Sequence, residues 1–289
     1  MNNIYVYTAG EAGLFVNSYL VELDDGVVAV DATLLNSDAR AFRARLDALH
    51  KPLLGVLITH PHPDHYNGLV ELVGAQDVPI YALPEVERTI RETAGNKRAQ
   101  WRPTYGDEWP ETTLFPNTVV QDGDVVEVGG AAFRALDLGP GESASETVWV
   151  LDGSRQMAFV GDLVFNGVHA YNADGRSGAW IDSLARGAAA LSPAALLYPG
   201  HGAPGGIELL DDQRRYLLMF REAVRTQAGG RDTLTPEDKN QLEARMSAFL
   251  PGPLAWLAGL SADAVAAELA RESDHRAEET AEVLRAPVR

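Results

Sequence analysis

Two β-sheets packed face to face with helices outside, followed by a helical tail, is the α/β architecture the sequence predicts. Apolar strands and amphipathic helices alternate in two blocks of similar size, and beyond Gly206 the pattern turns wholly helical. A chain of 289 residues with 46% hydrophobic content can bury the core that such layers need. The expected division is a body over residues 1–206 and a helical extension over 207–289 packed on it.

Taken in order, residues 15–23 and 27–30 are apolar strands flanking Asp24-Asp25-Gly26, a hairpin signal. Residues 36–50 have helical periodicity, with Ala41, Phe42, Leu46 and Leu49 on one side. Residues 53–58 form another apolar strand. A short helix over 68–73, a strand near 80–82 and a helix from Pro84 to about Thr93 follow. Residues 96–117 hold Trp101, Tyr105, Trp109 and three prolines without a clear period. They read as a long loop, either packed on the body or closing over a site as a lid. The β pattern returns over 125–128, 131–136, 147–151 and 157–160, then a helix over 180–191 and a strand over 195–198. In the tail, Leu209, Gln213, Tyr216, Leu217, Phe220 and Val224 share one helix face. A second helix starts after Thr235-Pro236-Glu237.

The chemistry concentrates directly after the strand at 53–58, in Thr59-His60-Pro61-His62-Pro63-Asp64-His65. Imidazole and carboxylate are the ligands a borderline divalent metal takes. The prolines bias His60 and His62 toward extended backbone, where residues two apart share a side and can reach one metal. Asp64 and His65, at the expected start of a helix near Asn67, can serve a second metal beside it. Asp64 as a simple helix cap is the plainer reading, but it leaves three clustered imidazoles unexplained.

Composition removes several alternatives. There is no cysteine, hence no disulfide, thiolate site or cysteine nucleophile. The net charge of −17 argues against nucleic acid or an anionic membrane as partner. No apolar run approaches the ~20 residues of a membrane helix. The first residues lack a signal-peptide pattern, so a cytoplasmic location is the default expectation.

Three later loops each follow an apolar strand and each offer one candidate ligand: Glu142 in Pro140-Gly141-Glu142-Ser143, Asp162 in Gly161-Asp162-Leu163, and His201 in Pro199-Gly200-His201-Gly202. Singly, each is a turn first. In order after the histidine cluster, they resemble the metallo-β-lactamase superfamily over about residues 4–205. The resemblance implies an αββα sandwich, an α/β fold of two mixed sheets flanked by helices, with a dinuclear site at one edge. It implies His60 and His62 on the first metal, Asp64, His65 and His201 on the second, and Asp162 bridging. Zinc is the expected ion at both positions, with manganese or iron(II) as competitors.

Glu142 departs from the pattern, because the family usually places a histidine there. The resemblance implies Glu142 as third ligand of the first metal. Three carboxylates and a bridging hydroxide then offset the charge of two divalent ions, which favours harder metals and makes the bound water less acidic.

The expected function is hydrolysis of a small ester, lactone, thioester or amide by a metal-bridging hydroxide, with Asp64 and Asp162 as the catalytic carboxylates. His169, Tyr171 and Tyr66 are candidate substrate contacts, although for His169 a backbone carbonyl partner is the favoured reading. Lys97, Arg98 and Arg102 are candidate attractors of an anionic substrate. Competing readings are sulfate or phosphate ester hydrolysis, iron-based redox chemistry, and a non-catalytic binding module. The expected partner is a small-molecule substrate, and the tail is a candidate surface for pairing with a second subunit.

Overall fold

The structure, a computed structural model, describes residues 3–285, with side chains described through residue 273. Its first sheet contains β1 (Asn3–Thr8), β2 (Asn17–Glu22), β3 (Val27–Val30), β4 (Leu53–Leu57), β5 (Ile80–Ala82) and β6 (Thr118–Val119), in that spatial order. The pairs β1–β2 and β2–β3 are antiparallel, whereas β3 to β6 run parallel. Helix α1 (Asn36–Ala48) joins β3 to β4, α2 (Pro63–Tyr66) and α3 (Leu69–Val73) join β4 to β5, and α4 (Pro84–Tyr105) precedes β6. The second sheet contains β7 (Val125–Val128), β8 (Ala131–Asp137), β9 (Thr147–Leu151), β10 (Met157–Asn166) and β11 (Leu196–Gly202). Its one parallel pair, β10–β11, is bridged by α5 (Ser177–Ala190). Three helices follow: α6 (Glu208–Ala228), α7 (Pro236–Phe249) and α8 (Trp256–Arg285). The two mixed sheets and outer helices are the fold that the strand and helix pattern predicts.

Strand alternation builds both sides of the second sheet. Trp149, Leu151 and Phe159 join Phe133 and the first sheet's Val28 and Val56 in the inter-sheet core. Their neighbours Val148, Val150, Ala158 and Val160 face the other way, onto Trp180 of α5 and Leu217 and Phe220 of α6. Side chains two apart share a face, so one strand serves two cores. The C-terminal helices enter the outer core through Leu242, Met246 and Val265. Arg221 of α6 pairs with Glu268 at 3.2 Å and with Glu272 on α8, and Glu268 also accepts from Ser177 at the start of α5. This buried network ties the tail to the body. Among the described residues, no helix is long and apolar enough to cross a membrane.

Two elements differ from the sequence expectation. Residues 96–105 are not loop but the second half of α4. Trp101, Tyr105 and Trp109 are spaced by four, which is the spacing of one helix face. Pro103 falls in the last turn, and the helix stops at Gly106, whose φ of +57° suits glycine. The helix carrying the motif starts at Pro63 rather than near Asn67, so Asp64 and His65 already lie in a helical turn and His62 occupies the N-cap position. Proline at the first helical position explains the earlier start.

Candidate metal centre

The ends of β3, β4, β8 and β11 and the bulged middle of β10 meet at one edge of the sandwich, and the polar residues of the sequence motif gather there, Asp162 within the strand rather than in a loop after it. His60, His62 and Glu142 place donor atoms within 4.8 Å of one another, and so do Asp64, His65, Asp162 and His201. All seven are buried, with exposures of 8% or less. The groups adjoin. His60 and His65 have ring centroids 4.0 Å apart, and Asp162 Oδ2 lies 3.4 Å from His201 Nε2 and 3.9 Å from His60 Nε2. Asp162 Oδ1 faces His65 Nε2 at 3.2 Å. Asp162 therefore stands between the two sets.

Packing of the two sheets holds these loops. Trp149 Nε1 donates to Ile58 O at 2.9 Å, and Thr147 N to Thr59 O at 2.9 Å, so β9 grips the segment that leads to His60. On the other side, Asn17 Nδ2 donates to Pro199 O and Gly202 O, and Tyr19 OH to Pro199 O at 2.6 Å. At Asp162, β10 bulges between Phe159 and Phe165, with Gly161 at φ +49°. A side chain on Gly161 would meet Thr59 Cβ at 2.8 Å, so strand and motif approach to glycine distance.

The imidazoles are oriented from behind. His65 Nδ1 donates to Asp31 Oδ2 at 2.8 Å, and His201 Nδ1 to Leu14 O at 2.9 Å. Thr59 Oγ1 donates to Asp31 Oδ2, which leaves it to accept from His60 Nδ1 at 3.1 Å. His62 turns Nε2 toward Asp174 Oδ2 at 3.6 Å and Nδ1 toward Glu142 Oε2 at 2.6 Å. Each ring thus keeps one nitrogen for the cluster and sets the other against a protein acceptor, the arrangement found around metal-ligating histidine.

The donor set fits metal ions. His60 Nε2, His65 Nε2, Glu142 Oε2 and Asp162 Oδ1 are buried without a hydrogen bond of good geometry, although His62 Nδ1 stands 2.6 Å from Glu142 Oε2 and His65 Nε2 3.2 Å from Asp162 Oδ1. Buried polar atoms so poorly engaged are costly, and cations held by the two sets would engage all four. In the metal-free state the charges compensate one another instead. Burial alone depresses His62, but the Glu142 carboxylate and the Asp174 hydrogen bond outweigh it and raise its pKa to about 10. Burial opposes His201 in the same way, and Asp162 and Asp64 raise it to about 9. Burial works against the ionised Asp162 carboxyl too, yet His201 and His65 hold it below the usual carboxylate range.

The remaining candidates separate. Tyr171 lines the adjoining cavity and meets His62 edge-on at 5.4 Å between centroids. His169 does not reach the cavity. It is fully buried between Tyr216 OH at 3.0 Å and Leu250 O at 2.9 Å, and it fastens the loop after β10 to α6 and the end of α7. Tyr66 is buried beneath Asp64 rather than among the cavity-lining residues. Of the three cations, Lys97 lines the cavity, whereas Arg98 is bound to the carbonyls of Pro110 and Glu111 and Arg102 lies along a separate surface depression. The residues the sequence reading passed over are Asp31, Asp174 and the Leu14 carbonyl. A buried carboxylate at the end of the apolar strand β3 was a usable signal for Asp31, whereas a backbone carbonyl has none.

Paired histidine and carboxylate clusters at the edge of an αββα sandwich define a class of metal-dependent hydrolases. The chain belongs to the metallo-beta-lactamase superfamily, whose family model matches residues 12–201. It is 29% identical over 192 residues to a hydroxyacylglutathione hydrolase from Alkalilimnicola ehrlichii, covering 65% of this chain and 62% of that protein. A second hydroxyacylglutathione hydrolase, from Bdellovibrio bacteriovorus, is 25% identical over 152 residues, covering 53% and 51%. The matches thus span between half and about three fifths of these curated relatives. Among solved structures, a metallo-beta-lactamase family protein from Thermus thermophilus superposes with a TM-score of 0.68 at 22% identity, covering 94% of both chains. A beta-lactamase domain protein from Burkholderia ambifaria gives 0.66 at 18% identity, covering 94% of this chain and 86% of that one.

Proposed function

We propose that this protein is a dinuclear metal-dependent hydrolase of a small carboxylic ester, lactone, thioester or amide. The carrying observation is the convergence of seven buried donors from four separate segments, with every imidazole already turned so that one nitrogen faces the other donors. His60, His62 and Glu142 would hold one ion, Asp64, His65 and His201 the other, and Asp162 would touch both. Two such ions, zinc or the harder manganese and iron(II), supply Lewis acidity toward a substrate oxygen and toward water.

The chain's own groups do the rest. Asp64 lines the cavity beside His65 and His201, where its carboxylate can take a proton from the attacking water. Asp162, fixed between the clusters, orients that water. Burial and the neighbouring Asp174 and Glu142 carboxylates push the Tyr171 hydroxyl pKa upward, so it stays protonated and can donate to the oxygen that gains charge. The relatives named hydroxyacylglutathione hydrolase support the carbonyl chemistry. A cavity lined mostly by apolar side chains and a net charge of −17 support a small molecule over nucleic acid.

One observation favours a second reading. A carboxylate at Glu142 makes the centre richer in oxygen donors, which suits sulfate or phosphate esters. Metal-loaded protein tested on nitrophenyl acetate, butyrate, sulfate and phosphate separates the two. Hydrolysis of the carboxylic esters, lost on chelation and in Asp162→Ala, is expected. Turnover of sulfate or phosphate alone, or of nothing with both metals bound, contradicts the proposal.

A further inference from the structure

The cavity next to the seven donors has walls that the hydrolytic chemistry does not use. One wall is the aromatic ladder of Trp101, Tyr105 and Trp109 on and just after α4. Tyr105 stacks on Trp109 at 6.2 Å, and Trp101 follows at 6.3 Å. Trp109 is itself fixed by packing on Leu34 and Leu35. A second part of the lining comes from the C-terminal extension, through Leu254, Trp256, Leu257 and Leu260. Leu257 is anchored in the outer core with Ala258 and Val265, and the Arg221–Glu268 pair fixes α8 about three turns beyond Leu257. Yet Trp256 and Leu260, one helical turn apart, are each 46% exposed at this cavity. Large apolar side chains left open on an anchored helix beside a reaction centre mark a surface that a ligand covers. Lys97 is the single lysine or arginine among the described lining residues.

We propose that α4 and α8 together form a substrate site for an apolar group, an aryl ring or a medium-length alkyl chain, with one negative charge at most accepted near Lys97. The inference rests on the hydrolase reading for the bond that is cut, but not for the binding itself. It sets this chain apart from what its relatives' names suggest. The two carboxylates of a glutathione leaving group would find one cation, apolar walls and the Asp64 carboxylate, and burying them unpaired is unfavourable. Each methylene buried against these side chains should strengthen binding by about fourfold.

The test has two arms on the purified, metal-loaded protein. In the first, acetate and octanoate are titrated against tryptophan fluorescence. Both carry the same carboxylate, so any metal contact cancels in their ratio. Octanoate is expected to bind at least about tenfold more tightly, and Trp256→Ala should remove most of that ratio, whereas Leu218→Ser on the exposed face of α6 should leave it intact. In the second, nitrophenyl acetate and octanoate esters are compared with S-lactoylglutathione. The octanoate ester should have the highest kcat/KM, gained through KM, with Trp101→Ala and Trp256→Ala raising that KM about tenfold. Equal binding of acetate and octanoate, or a preference for the glutathione thioester untouched by Trp256→Ala, overturns the proposal while leaving hydrolysis standing. Tight octanoate binding lost in Trp256→Ala without turnover of any ester upholds the site and removes the hydrolase reading.

Discussion

Asp31 Oδ2 accepts the Nδ1 proton of His65 at 2.8 Å, and this fixes the lone pair of His65 Nε2 on the cluster side. The same carboxylate receives Thr59 N at 2.9 Å and Thr59 Oγ1 at 2.8 Å, so one buried group orients His65 and the segment leading to His60. Asp31 sits at φ +60°, an unusual conformation for aspartate that the end of β3 imposes. Partners behind metal-ligating histidines set ligand basicity and ring orientation. Asp31→Asn should therefore weaken metal binding by about 10- to 100-fold. Titration against a competing chelator reads the change, with circular dichroism confirming the fold. Unaltered affinity would show that the contact is only structural.

Gly200 precedes His201 and packs against the same cluster. A Cβ at this position would overlap Asp162 Oδ1 and lie 2.9 Å from His65 Cε1. Gly200→Ala should displace Asp162 from between the two sets and remove at least about half of the bound metal. The metal-to-protein ratio after desalting is the measurement.

The pH dependence of metal uptake follows from the imidazoles. With pKa values raised to about 10 for His62 and about 9 for His201, both are protonated at neutral pH in the metal-free protein. Metal must displace those protons, so apparent affinity should rise with pH from 6 toward 9 and level off above about 10. The sign for stability is opposite. A raised folded-state pKa gives metal-free protein stability that is full below the unfolded histidine value near 6.5 and declines as pH climbs through 9 to 10. Calorimetry in buffers of different ionisation enthalpy counts the protons released. No proton release at pH 7 would refute this charge state.

The body of the fold was legible because its strands are short, apolar and bounded by turn residues. The metal centre was legible in two degrees. His60, His62, Asp64 and His65 are neighbours in sequence, whereas Glu142, Asp162 and His201 gain meaning only from their order after strands. Asp31 is 34 residues from His65, and the Leu14 carbonyl is 187 residues from His201, so no local pattern connects them. The second half of α4 was hidden by Lys97, Arg98 and Pro103, which mask the four-residue spacing of its aromatics. His169 could not be placed because its partners, Tyr216 and Leu250, belong to the tail, whose docking no sequence period encodes.

That docking depends on a buried ion pair. The Arg221 and Glu268 side chains are about a tenth exposed, and Glu268 also receives Ser177 N, Ser177 Oγ and Gly178 N. Removing one partner leaves the other charge uncompensated, so Arg221→Ala should cost about 3–5 kcal/mol of unfolding free energy. Replacing Arg221 and Glu268 together by apolar residues should cost less. Denaturant unfolding of both variants checks the difference, and equal losses would mean that packing rather than charge binds the tail.

The account turns on two ions held by seven side chains, and the most direct test is the metal content of the protein. After loading with excess zinc or manganese and desalting, elemental analysis should find about two ions per chain, falling to about one in Glu142→Ala, with Glu142→His restoring the second and favouring zinc. Less than about half an ion per chain in the unmodified protein, or content indifferent to residue 142, would contradict it.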